Sequence, residues 1–103
     1  MPQLAFHGAL AWDRGTGKYG VSWSQATPER ADAVALNECS ASGCKVLLQI
    51  GPKMCGALAT TRDGKHAGAA RRNDRDTAQL AALANCQKGN AGECITRVAD
   101  CNK

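Results

Sequence analysis

The chain carries its own plan twice. Gly8-Ala9-Leu10-Ala11 recurs as Gly56-Ala57-Leu58-Ala59. Each copy leads into a Gly-rich turn, a Gly-Lys pair (Gly17-Lys18, Gly64-Lys65) and an alanine-rich stretch that ends in cysteine (Cys39, Cys86). A second cysteine and a β-branched run follow (Cys44-Lys45-Val46, Cys94-Ile95-Thr96). The offset is about 48 residues, Gly8 to Gly56, and the copies fill nearly all of the 103-residue chain. A repeat of this length marks one supersecondary unit used twice.

Each unit reads as two strands, a helix and a strand. Residues 5–12 are apolar and short, as in a strand, and Asp13 to Gly17 supply hairpin-turn chemistry. From Lys18 to Trp23 the pattern alternates, with Tyr19, Val21 and Trp23 on one face. Thr27-Pro28-Glu29 then starts a helix with a cap, a first-turn proline and an acid at the positive end of the dipole. That helix runs to about Cys39 with Ala31, Val34 and Ala35 on its inner face, and Cys44 to Ile50 forms the next strand. The second unit repeats the order: strand 55–60, turn 61–64, weaker strand 65–70, a helix beginning at Asn73 with Asp76 as its capping partner, a polar loop 87–92, and a strand 93–101. Asn102-Lys103 reads as a tail. The expected fold is therefore α+β: a single domain, residues 1–103, made of ββαβ units at about 5–50 and 55–101. Two helices would lie on a mostly antiparallel sheet with pseudo-twofold symmetry.

All four aromatics, Phe6, Trp12, Tyr19 and Trp23, fall in the first unit, so the second core must rest on Ala, Leu, Ile and Val. Small side chains bury little area, at roughly 25 cal/mol per Å². Six cysteines offer covalent compensation. Their spacings lack the C-x2-C pair of zinc ribbons and of redox motifs, which leaves three structural disulfides and no metal. The duplication selects the pairing. Cys39–Cys44 and Cys86–Cys94 become equivalent clasps between helix end and strand start, and Cys55–Cys101 closes the second unit. By loop entropy the last contributes about 4 kcal/mol, against about 2 for Cys39–Cys44.

Disulfides in a short chain point to an oxidising compartment, periplasmic or secreted. No run reaches membrane-spanning length, and no export signal precedes the first repeat, so the expectation is a mature form whose signal has been removed. Net charge is +4. Residues 1–51 carry equal numbers of acidic and basic groups, so the excess lies in the second unit.

The run Gly8-Ala9-Leu10-Ala11, the capped helix ending at Cys39, Cys44-Lys45-Val46 and Cys55-Gly56-Ala57-Leu58-Ala59 together resemble a bacterial family of small exported proteins. It is known as a domain of unknown function, number four-one-eight-nine in that series. The resemblance covers about residues 6–101. It implies export and a disulfide-bearing duplicated domain, and it brings no established enzymatic activity and no catalytic residues. The second unit departs from the family's usual look at Ala69-Ala70-Arg71-Arg72, where a more aromatic strand is usual.

Few residues assemble into chemistry. His66 lies near Asp63, but no nucleophile-elbow pattern accompanies the serines. The carboxylates read as turn, cap and solvent-face residues, and Gly15-Thr16-Gly17-Lys18 joins two strands where a phosphate loop would need a helix. Two surfaces are candidates for binding. One is basic: Lys65, Arg71, Arg72 and Arg75, the arginines preceding a helix N-terminus that itself favours anions. Its alternative is a solvated corner partly neutralised by Asp74 and Asp76. The other is aromatic, Trp12 and Trp23 flanking one hairpin. Its alternative places Tyr19 and Trp23 in the core, with Trp12 covering the hairpin end. No nucleic acid is expected, because the basic patch lacks interleaved aromatics. The resulting expectation is an exported, non-enzymatic protein-binding module without cofactor, directed at a protein with an acidic patch, as an inhibitor or immunity protein would be. A secreted effector directed at a host cell and a small cell-wall hydrolase are the alternatives.

Overall fold

A computed structural model describes residues 5–88 and 93–102. The elements follow in the order β1 (His7–Trp12), β2 (Tyr19–Gln25), α1 (Pro28–Cys39), β3 (Lys45–Ile50), β4 (Cys55–Thr61), β5 (Ala67–Arg72), α2 (Arg75–Lys88) and β6 (Cys94–Cys101). The fold is α+β with two helices, two three-stranded antiparallel sheets and three disulfides. Of the polar loop expected at 87–92, Gln87 and Lys88 belong to α2, and 89–92 lie outside the described residues.

The strands divide into sheets ordered β2-β1-β3 and β5-β4-β6, so each unit's first strand is central. Alternation along the central strands gives each sheet two apolar faces. On β1, Ala9 and Ala11 pack on Ala31, Ala35 and Cys39 of α1. On β4, Cys55, Ala57 and Ala59 pack on Ala78, Ala82 and Cys86 of α2. The opposite faces meet each other. Leu10, Ile50 and Leu58 are fully enclosed there, with Val21, Trp23, Met54 and Val98 around them. The layers thus run helix, sheet, sheet, helix. Each large side chain in the central layer contributes roughly 1.5–3 kcal/mol by burial.

The helices sit close because the positions beneath them are the smallest available. A Cβ on Gly20 of β2 would collide with the Ala35 carbonyl and the Cys39 amide of α1. Gly68 of β5 stands in the same relation to Ala82 and Cys86 of α2. The units also share an irregularity. Register slips between Leu10 and Ala11 against β3, leaving Leu47 unpaired, and between Leu58 and Ala59 against β6, leaving Arg97 unpaired. Such bulges bend a strand and re-aim one side chain.

Caps explain the helix boundaries. Thr27 Oγ1 accepts the Arg30 amide at 3.1 Å, with Pro28 in the first turn. α1 ends at Ser40, whose left-handed backbone directs its N–H to the Leu36 carbonyl. For α2 the cap is Asp74 rather than the expected Asn73. Its carboxylate accepts both the Thr77 amide (2.8 Å) and the Thr77 hydroxyl (2.7 Å).

Asn102 is no tail. It is 7% exposed. Its amide donates to the carbonyls of Ile50 (2.9 Å) and Gly51 (2.8 Å), and its Oδ1 accepts from the Ser24 N–H (2.9 Å). A residue just past β6 therefore ties β2 of the first unit to the junction of β3 and the linker.

Candidate functional site

The basic candidates do not form one patch. Arg71 and Arg72 end β5 and Arg75 opens α2, whereas Lys65 belongs to the hairpin turn at the other end of β5. A strand rises about 3.3 Å per residue, so Lys65 stands roughly 20 Å from Arg71. Arg71 donates to the Gln49 carbonyl across the unit boundary at 2.9 Å, and Arg72 donates to the Arg71 carbonyl at 2.7 Å. The α2 N-terminus is already occupied by the Asp74 carboxylate, which reduces its attraction for an outside anion. The Thr77 amide and hydroxyl hold Asp74 below its usual carboxylate range.

The aromatic candidates are drawn into the structure. Trp23 packs into the layer between the sheets. Trp12 is half-buried and donates its indole N–H to the Gly64 carbonyl of the other unit's turn at 2.8 Å. Tyr19, expected in the core beside Trp23, is 38% exposed instead. It alternates onto the same face as Val21 and Trp23, but it stands at the strand's first position, away from the layer between the sheets.

Turn carboxylates organise the hairpins. Asp13 accepts from the Thr16 hydroxyl (2.6 Å) and the Gly15 amide (3.1 Å), and the Thr16 bond leads in lowering its pKa. Asp63 accepts from the Thr61 hydroxyl (2.7 Å) and the Lys65 amide (3.0 Å), which lower its pKa in that order. These groups are held ionised, the opposite of what a general acid needs at neutral pH. His66, three positions after Asp63, is exposed in the same turn.

Two features were not legible beforehand. Arg97, the bulge residue of β6, donates to Thr60 Oγ1 (2.7 Å) and to the carbonyls of Thr61 (3.3 Å) and Arg62 (3.4 Å). An open depression of about 330 Å³ lies between the first hairpin turn and the end of α1, lined by Thr16, Gly17, Lys18, Tyr19, Glu38, Cys39 and Ser40. The alternation of β2 pointed Tyr19 toward the core and gave no sign that it would line such a rim. Among the described residues, no cluster of three or more His, Cys, Asp or Glu could hold a metal ion, and all six cysteines are in disulfides. No helix among them is long and apolar enough to cross a membrane.

Helix-backed sheets pressed together, with disulfides at their ends, define a small stapled α+β domain, and three disulfides in a chain this short fit an extracellular location. Residues 7–101 match the family described as Domain of unknown function (DUF4189), and the chain belongs to that family. It is similar to the Uncharacterized protein Rv1813c of Mycobacterium tuberculosis and to the Uncharacterized protein Mb1843c of Mycobacterium bovis. With each it shares 39% identity over 59 residues, 57% of this chain and 39% of the relative. The matched segment thus spans about two fifths of these relatives' length. The NMR structure of Rv1813c from Mycobacterium tuberculosis is similar across 99% of this chain and 79% of that one, with a TM-score of 0.66 and 28% identity.

Proposed function

We propose that the protein is an exported, non-enzymatic binding module whose work is recognition of another protein outside the cytoplasm, as an inhibitor or immunity protein recognises its target. We infer further that residues 5–50 and 55–101 are pseudo-twofold copies within one domain. The reading rests chiefly on how the polar groups are used. Asp13, Asp63 and Asp74 are held ionised in turns and a cap, and Arg71 and Arg97 are tied to backbone carbonyls. That is the polar chemistry of a rigid scaffold. Leu80, 69% exposed on the outer side of α2, and the exposed Arg72 and Arg75 at the junction of β5 and α2 leave contact groups on the outside.

The test uses the oxidised protein as bait against exported proteins of its own organism, followed by calorimetry with the purified partner. Saturable one-to-one binding, weakened by Leu80→Asp or by Arg72→Glu with Arg75→Glu, supports the reading. Absence of a partner together with turnover of cell-wall polymer overturns it.

A further inference from the structure

The sheets have four edges, and the structure treats one of them differently. On β3, the Gln49 carbonyl accepts from Arg71 and the Ile50 carbonyl from Asn102. On β5, the Ala69 carbonyl accepts from Asn85 and the Arg71 carbonyl from Arg72. On β2, the Ser24 amide donates to Asn102 and the Trp23 carbonyl accepts from Gln25. Such side-chain covers are how proteins keep edge strands from pairing.

β6 is the longest strand, at eight residues, and lies at an edge. From Ile95 to Cys101 its backbone takes one side-chain contact, Cys101 N–H to Asp100 Oδ1 at 2.8 Å. The Cα atoms of Cys55 and Cys101 are 3.8 Å apart, which marks the close, non-hydrogen-bonded kind of antiparallel pair. The backbone groups of Cys101 therefore point away from β4. By alternation those of Ala99 do too, and among the described residues no side chain bonds to them. Ile95 is 37% exposed on this strand. Glu93 and Asp100, both exposed, frame the edge, while the Arg97 guanidinium is turned back onto Thr60 and the carbonyls of the adjacent turn.

We propose that β6 is the acceptor edge for an extended polypeptide segment, apolar at its centre and carrying cationic side chains at its ends, which adds to the β5-β4-β6 sheet as a fourth strand. Main-chain hydrogen bonds at the Ala99 N–H and carbonyl and at the Cys101 carbonyl supply the attraction, Ile95 the apolar contact, and Glu93 and Asp100 the preference for basic residues. The proposal rests on the protein-binding reading and names the class of partner.

The probe is a blocked heptapeptide of alternating Val and Thr with Lys at both ends, titrated into the isotope-labelled oxidised protein. The expected result is a set of amide shifts confined to residues 95–102, with slowed hydrogen exchange at Ala99. N-methylation of the peptide at alternate residues should weaken binding at least about tenfold, because it deletes the main-chain donors. Ala99→Pro should abolish binding while the remaining amide spectrum is retained, since an edge strand tolerates proline where its N–H faces solvent. Shifts centred on α2, indifference to N-methylation, or dimerisation through β6 in place of peptide binding would each overturn it. A captured partner that contacts Leu80 or Arg75 and leaves β6 untouched would sink this proposal alone. Failure of both partner capture and peptide addition would sink the binding reading as well.

Discussion

The Trp12 indole N–H reaches 2.8 Å across the unit boundary to the carbonyl of Gly64. Gly64 has a positive φ of 75° in the second hairpin turn, so its carbonyl is presented by a backbone shape that most residues resist. Trp12→Phe keeps an aromatic ring but removes the indole N–H and part of the ring system. The expected loss is about 1–2 kcal/mol, measured by denaturant unfolding, with the disulfides intact.

Gly20→Ala and Gly68→Ala should behave as a pair. Each adds one methyl where a helix backbone already lies, against Ala35 and Cys39 in one case and Ala82 and Cys86 in the other. Forced separation of helix and sheet should cost about 1–3 kcal/mol or more at each site. Thermal unfolding of both variants checks this; a shift in only one would show that one helix can yield.

Asn102→Ala leaves the Ser24 amide and the carbonyls of Ile50 and Gly51 without their side-chain partner. A loss of about 2–3 kcal/mol is expected, because buried groups are left unsatisfied. Hydrogen exchange at the Ser24 amide should accelerate by more than the average for β2.

The disulfides should rank by the loop they close. Cys55–Cys101 spans 46 residues and Cys39–Cys44 spans 5. Replacing the former pair by alanine should cost about 4 kcal/mol and the latter about 2. Unfolding midpoints of the two double variants give the comparison.

Acid should destabilise the fold in a definite window. Asp13, Asp63 and Asp74 have lowered native pKa values, so in the unfolded chain they bind protons more readily than in the native one. Their contribution is complete above the unfolded value of about 3.9 and disappears as pH falls through the lower native values. Stability from these groups should be flat from neutral pH to about 5 and fall below about 4. The triple Asn variant should show a shallower acid limb.

Much of the fold was legible because the repeat imposed it. Gly8 to Ala11 and Gly56 to Ala59 announced two central strands, and the cap Thr27-Pro28 fixed the start of α1. Periodicity could not tell that the inner faces of two sheets would meet, because Leu10 and Leu58 read equally well as members of one sheet. Asn102 was misread because a polar residue after the last apolar run resembles a tail, and its three partners lie 50 to 80 positions earlier. The candidate site was harder still. Arg71 and Trp12 advertise contact chemistry in sequence, and only coordinates reveal that Gln49 and Gly64 already engage them. Arg97 carried no signal, since the bulge that aims it is a matter of register.

Beneath each helix, the contact is made mainly by alanine, glycine and disulfide-bonded cysteine. Such joints have no slack: there is nothing there to trim and no room to enlarge. Any new specificity this scaffold acquires must be written on its outward surfaces, with the seams held to the same few letters.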